Sequence, residues 1–404
     1  MRVRLRGVWR PVLVVIVPIA LLTIVGMVWL WPSGAGTAPD RTQYVNATVR
    51  TIVHAPCASD DEAARAAGQT DCGAVVVRVT SGPDTNQDVT TDVPSGPGAP
   101  ALHEGDDVVL LYLPDTPVGE TYQIADHQRG GQLWVLGAAF VLAVVAFGRW
   151  RGLSALAGLA VTFAVLLLFV VPAILDGEPP LLVAIVGSAA IMLTVLYLTH
   201  GVGTSTSVAV IGTLTSLALT GALSWLAVRA LHLTGVADEQ ASYLGVTHDV
   251  NLQGLLLAGI LIGSLGVLDD VTVTQAATVG ELARANPAYR FTPLYRAANR
   301  VGRAHIASVV NTIILAYAGA SLPLLILITD SGQSLGRVLT NQLVAQELVR
   351  SVVGTLGLIS AVPITTALAA FTARRRPRAE TEADDAPRTD HLSALAREEH
   401  DSAW

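Results

Sequence analysis

Two adjacent carboxylates inside an apolar run are the residues of this chain best suited to chemistry. They lie in Gly263-Ser264-Leu265-Gly266-Val267-Leu268-Asp269-Asp270-Val271-Thr272-Val273-Thr274-Gln275. An ionisable side chain at membrane depth costs at least about 2.5 kcal/mol to insert, so each one requires a reason. If the run is helical, Asp270, Thr274, Thr278 and Glu281 share one stripe, and Asp269, Thr272 and Gln275 share an adjoining one. The two aspartates then point about 100° apart and need not share a proton. One chemistry that fits is a cation or proton site, in which a carboxylate alternates between protonated and ionised states. The other reading is structural. The apolar run starts near Leu252, which puts Asp269 close to the interface, where the arginines that follow would pair with the acids.

Other polar residues at membrane depth accompany this pair. Thr204-Ser205-Thr206-Ser207 continues through Thr213, Thr215, Ser216, Thr220 and Ser224, which reads as close helix packing or as a hydroxyl-lined path. Gly259-x-x-x-Gly263 allows close backbone approach. Asn311-Thr312 and Tyr317 precede Ser321-Leu322-Pro323, where proline frees a backbone carbonyl near Gly319. Asparagine in a membrane helix usually bonds a neighbouring helix. Intramembrane aspartyl proteolysis needs aspartates on two facing helices, and no second apolar run offers one at similar depth. No nucleophile–base pair or metal cluster is visible either, so the expectation is no enzyme and no cofactor. A G-x-x-x-x-G-K-[ST] phosphate loop requires lysine, and all 25 basic residues here are arginines.

The elements that must carry these residues are apolar spans. The chain has 404 residues, 51% hydrophobic and 14% charged, with a mean hydropathy of +0.53. Soluble domains carry about 25% charged residues, so disorder, a coiled coil and a nucleic-acid-binding tail are excluded. Eight spans are expected. The first runs from Pro11 to Trp31 and is taken as an uncleaved helix, because it exceeds a signal core and ends in Trp29 and Trp31. The others are Gln132–Phe147, Leu153–Leu175, Leu181–Thr199, Ser205–Leu231, Leu252–Val273, Ile306–Thr329 and Val344–Phe371. A cytoplasmic N-terminus would place Arg2, Arg4, Arg6, Arg10, Arg149, Arg151, Arg284, Arg290, Arg296, Arg300, Arg303, Arg374, Arg375, Arg376 and Arg378 inside. The short outer loops then keep only Arg229, Arg337 and Arg350, so both termini are expected in the cytoplasm. Glu281 to Arg303 reads as an amphipathic arm against anionic headgroups.

Four regions follow: a basic segment and first span (1–31), an extracytoplasmic β-rich domain (32–130), a seven-helix domain (131–373) and a disordered cytoplasmic tail (374–404). In the β-rich domain, Tyr44–Val53, Ala74–Thr80, Gln87–Asp92, Asp107–Leu113 and Thr121–Ala125 read as strands between Gly/Pro/Asp turns. Five short strands fit an OB-like barrel, with an open sheet as the rival. Cys57 and Cys72 fall here, with fourteen residues between them. A bridge closing that loop would add about 3 kcal/mol. It is preferred to a metal site built from His54, Cys57 and Cys72.

Gly266-Val267-Leu268-Asp269-Asp270-Val271-Thr272 with Glu281-Leu282 resembles the signature of the YibE/F family. So does Gly302-Arg303 followed by Val310-Asn311-Thr312-Ile313-Ile314-Leu315-Ala316-Tyr317-Ala318-Gly319-Ala320-Ser321-Leu322-Pro323. The likeness extends to Glu104–Val108 and to Ile124–Arg129 before the second span. The family pattern has methionine before the first aspartate and a small or aliphatic residue after it. Here Leu268 precedes Asp269 and Asp270 follows it, so only Asp269 carries the family position. The resemblance implies a multi-pass bacterial membrane protein with a small extracytoplasmic domain, and no established substrate.

The expected function is therefore a secondary transporter or channel for a small solute or ion in the bacterial plasma membrane. Its path would be lined by Asp269, Asp270, Thr272, Thr274, Gln275 and Asn311. The alternative is a non-transporting envelope adaptor whose β-domain binds a partner protein. Neither reading calls for nucleic acid.

Overall fold

The computed structural model describes residues 9–34, 43–56, 72–94, 99–113, 121–236, 239–330, 332 and 334–373. Cys57, and with it the expected bridge to Cys72, lies outside these residues, as do Arg2–Arg6 and the tail from Arg374. The chain divides into two compact units, Ala35–Leu153 and Met1–Gly34 with Ser154–Trp404.

The first unit holds a five-stranded sheet. Its strands are β1 (Gln43–Val53), β2 (Ala74–Val79), β3 (Asp88–Asp92), β4 (Asp107–Tyr112) and β5 (Tyr122–His127), in the order β3-β2-β1-β4-β5 with every pair antiparallel. Period-two alternation drives it. Val45, Ala47 and Val49 of β1, Val75, Val77 and Val79 of β2, and Val108 and Leu110 of β4 point to one face and are buried. Each such valine or leucine contributes roughly 1.5–3 kcal/mol of apolar burial. The sheet curls into a half-barrel. Its outer strands meet where the Thr91 hydroxyl donates to the Tyr122 carbonyl at 2.6 Å. The Tyr122 hydroxyl donates in turn to Asp84 Oδ2 at 2.5 Å. Burial first, and then the Asp84 carboxylate, push the Tyr122 phenol above its ordinary value. On the surface, the Arg78 guanidinium bonds Asp88 at 2.8 Å and holds that carboxyl below its usual range. All five expected strands are present, within a residue or two at each end.

The helices of the other unit are long and apolar. In chain order the helices of the protein are α1 (Trp9–Trp29), α2 (Gly130–Leu175), α3 (Pro180–His200), α4 (Thr204–Ala230), α5 (Glu239–Thr247), α6 (Leu252–Ala285), α7 (Phe291–Ala320), α8 (Leu322–Asp330), α9 (Leu335–Thr340) and α10 (Gln342–Ala373). Among the described residues, six helices are long and apolar enough to cross a membrane: α2, α3, α4, α6, α7 and α10. The second and third expected spans are both contained in α2. It breaks at Arg149, whose φ of 51° and ψ of −128° are not helical. α2 also holds a π-helical turn at Leu166–Val170. α1 contributes a shorter described apolar stretch, Val14–Trp29. The expected seventh span is interrupted, since α7 ends at Ala320 and α8 restarts at Leu322. Pro323 therefore stands in the first turn of a new helix, where its missing N–H costs no helical bond.

α4, α6 and α10 form the centre of this unit, each packed on the other two, with α3 against α6 and α7 against α10 and α6. The end of α1 is tied down by Ser33 and Gly34, whose backbone N–H groups donate to Asp176 Oδ2 at 2.6 and 3.1 Å. The Trp31 ring lies 6.0 Å from Phe169. The helices approach most closely at positions other than the predicted pair. A Cβ on Gly259 would meet nothing within 4 Å, and one on Gly263 would meet only the Tyr317 hydroxyl, at 3.4 Å. Tight contacts fall on Gly302 of α7, where a Cβ would lie 2.6 Å from Val362 and 2.7 Å from Gln275 Oε1, and, tighter still, between α4 and α10. There a Cβ on Gly212 would lie 2.3 Å from Thr365 Oγ1, and one on Gly357 would lie 1.9 Å from Thr220 Oγ1. In each pair, the space left by a missing side chain holds a threonine of the facing helix.

Candidate functional site

α6 carries the aspartates, and its packing decides which way they point. Asn251 caps its start, its side chain accepting from the Gly254 N–H at 2.8 Å. Further along, Val267 and Val271 lie against Ile306, Val309, Val310 and Ile313 of α7 and Leu358 and Val362 of α10. Asp269 is two residues from both valines, about 200° around the helix, so it faces away from α7. Its stripe runs through Leu265 and Val273, which pack with Leu196 and Tyr197 of α3 and with Val165 and Leu166 of α2. Leu166 opens the π-helical turn.

The six residues expected to line one path take different positions. Asp269 is half-buried, and its Oδ1 is buried with no hydrogen-bond partner. Asp270 and Thr274 are exposed. Neither aspartate forms an ion pair with a described arginine, and the nearest acid in sequence, Glu281, bonds Arg284 at 2.5 Å. Thr272 is fully buried, its Oγ1 2.5 Å from Thr213 Oγ1 of α4 and 3.1 Å from the Asp269 carbonyl oxygen. Gln275 is buried too, donating to the Ala298 carbonyl of α7 at 3.0 Å and to Thr366 Oγ1 of α10 at 2.7 Å. These two residues join helices. Asn311 is exposed on α7. Its neighbours Val310 and Ile313 take the face toward α6, so Asn311 does not meet the aspartates.

The hydroxyl series of α4 is mostly interior. Thr206, Ser207, Thr213, Ser216, Thr220 and Ser224 are buried, while Thr215 is exposed. Thr213, Thr220 and Ser224 each donate to a carbonyl one turn back, and Ser207 meets the Tyr197 hydroxyl at 2.9 Å. Ser216 Oγ and Thr365 Oγ1 are buried without hydrogen-bond partners. Beside this series, α3, α4 and α6 line a half-open apolar pocket of about 380 Å³, with residues such as Ile185, Leu217, Trp225 and Leu261 on its walls.

Several polar residues escaped the sequence reading. Gln346 of α10 is 1% exposed and donates to the Val236 carbonyl at 2.9 Å. Beside it, Glu347 forms a half-buried pair with Arg350, one turn along, at 2.8 Å. The i, i+3 spacing of opposite charges is visible in the sequence, but the positive-charge count places Arg350 with the outer loops, whereas it stands inside α10. Among the described residues, no group of three His, Cys, Asp or Glu side chains could hold a metal ion.

Long apolar helices joined through buried hydroxyl and amide groups define a multi-pass membrane protein. Residues 136–375, more than half of the chain, match the YibE/F-like protein family, and the chain belongs to that family. The matched range begins beyond the five-stranded sheet. The chain matches no curated protein and no solved structure.

Proposed function

We propose that the protein moves a small solute or ion across the bacterial plasma membrane, with Asp269 as the carboxylate that takes up and releases a proton or cation. One observation carries this reading. Asp269 has a buried oxygen without a hydrogen-bond partner, and no described arginine compensates its charge. A buried carboxylate left unpaired is costly unless a proton or a cation accompanies it. That requirement makes occupancy of the site switchable. The stripe through Asp269 faces α2 at its π-helical turn, a feature often found at functional positions. Exposed Asp270 would act as a collecting charge at the mouth, and Thr272 and Gln275 would hold α6 in place against α4, α7 and α10. With no phosphate-binding loop in the sequence, movement is passive or secondary unless a separate ATPase joins the protein.

The same reading includes eight crossings, both termini in the cytoplasm and an extracytoplasmic OB-like barrel. Support for eight comes from counting α1 and the two halves of α2 separately. The barrel reading rests on the strand order with β3 and β5 brought together at Thr91 and Tyr122. A Cys57–Cys72 bridge would close the β1–β2 loop of that domain.

The test is ion flux and internal pH in proteoliposomes at matched protein incorporation. Wild type and Asp270→Asn are expected to conduct, and Asp269→Asn to fall to the level of empty vesicles. Undiminished flux in Asp269→Asn would remove the carboxylate from the mechanism. No wild-type flux across a panel of cations would remove ion transport, and attention would pass to the adaptor reading and the ligand of the β-domain.

A further inference from the structure

Arg296, Arg300 and Arg303 of α7 form a second feature, independent of transport. Their spacing puts them within about 60° of one another on the helix, and all three are exposed. The opposite face, Leu294, Ala298 and Gly302, is buried, with Leu294 and Ala298 packed against Val279 of α6 and Ala369 and Ala370 of α10. Phe291 and Tyr295 stack at 5.9 Å and flank that buried face. The orientation of the arginines is therefore set by the core.

Within the described residues the three arginines have no hydrogen-bond or ion-pair partner. Glu281, the acid nearest in sequence on the preceding helix, is engaged by Arg284. Like charges at i, i+3 and i, i+4 repel. The cluster thus weakens the helix that bears it and gains nothing inside the chain. An external anion would offset that repulsion.

Helix geometry says where that anion lies. α7 continues without a break from the arginines into the apolar stretch that begins at Ile306. At 1.5 Å per residue, Arg303 stands about 5 Å, Arg300 about 9 Å and Arg296 about 15 Å before that residue. The polar layer on each side of the hydrocarbon is about 5–8 Å deep, so Arg303 and Arg300 fall at or near headgroup level, and Arg296 stands at least about 7 Å outside it, where its long side chain must reach back toward the lipid. Arginine forks match phosphate oxygens, and their aliphatic stems can lie along lipid. We infer that Arg296, Arg300 and Arg303 form a binding stripe for anionic phospholipid headgroups at the end of the bundle where α6 finishes and α7 begins.

The test uses the full chain in detergent micelles, titrated with phosphatidylglycerol or phosphatidylcholine, with bound lipids counted by native mass spectrometry. Wild type is expected to prefer phosphatidylglycerol by tenfold or more. The Arg296→Gln/Arg300→Gln/Arg303→Gln variant should bind the two lipids about equally, and the corresponding triple lysine variant should keep the preference. Arg300→Gln alone, which removes one charge and spares the fold, should lower the preference about fivefold. Equal binding by wild type would overturn the proposal, as would an undiminished preference in both glutamine variants. Displacement of the lipid by an equal concentration of inorganic phosphate would overturn it too, and would reassign the stripe to a free anion. Displacement by a short RNA would reassign it to nucleic acid.

Discussion

Substituting alanine for Gly357 tests how closely α4 and α10 are packed. The new methyl carbon would lie 1.9 Å from Thr220 Oγ1 and 3.1 Å from Thr220 Cβ, well inside contact distance. Thr220 is 0% exposed, and its hydroxyl is held by the Ser216 carbonyl at 2.8 Å. The overlap can be relieved only by breaking that bond or by moving the helices apart. Overpacking of this kind costs about 1–3 kcal/mol. Alanine also favours the helix over glycine by up to about 1 kcal/mol, so the clash must be separated from that gain. Gly266→Ala supplies the control, because its Cβ would meet nothing within 4 Å. The difference in unfolding free energy between the two variants should be about 1–3 kcal/mol, read from reversible denaturation in mixed micelles by tryptophan fluorescence and circular dichroism. Thr220→Ala should rescue Gly357→Ala, giving a coupling of about 1–3 kcal/mol in a double-mutant cycle. Equal stability of Gly357→Ala and Gly266→Ala, or additivity in the cycle, would refute the contact.

Two further outcomes follow from groups with defined partners. Gln275→Leu keeps the approximate volume but leaves the Ala298 carbonyl and Thr366 Oγ1 without their shared donor, and should destabilise the protein in the same micelle assay by about 1–3 kcal/mol. In the sheet, the raised Tyr122 phenol makes stability fall with alkali. Its contribution is present below the unfolded tyrosine value near about pH 10 and is lost as pH rises through the higher folded value. Tyr122→Phe should flatten the alkaline limb of a stability–pH profile of the full chain. An unchanged slope would show that another group titrates there.

Much of the architecture was legible residue by residue. Apolar runs of span length located α3, α4 and α10 to within a few residues, and the start of α6, which runs twelve residues past the expected Val273, because hydropathy and 3.6-residue periodicity are local properties. The valines of β1, β2 and β4 announced their strands in the same way, by alternation. The break in α2 was also visible, as the polar stretch around Arg149 and Arg151 between two apolar runs. Pro323 marked a disturbance, though whether it would kink one helix or start another depended on how Ser321 ended α7. The tight contacts were not legible. Gly259 and Gly263 have the spacing of a packing motif, yet the closest approaches between helices fall on Gly212 and Gly357, because each has a threonine facing it from another helix.

The candidate site divides along the same line. By itself, the sequence determined that two carboxylates and a set of hydroxyls and amides are placed in apolar helices, since residue type and depth along a span are one-dimensional facts. Which of them meet was decided by the rotation of each helix against its neighbours. The packing of Val267 and Val271 on α7 turns Asp269 toward α2 and α3, leaves Asp270 in the open, and separates both from Asn311. It also puts Thr272 on Thr213 and Gln275 on Thr366, partners 59 and 91 residues away. A side chain two positions along a helix points to its far side, so a polar residue's role is set by what the apolar residues beside it pack against.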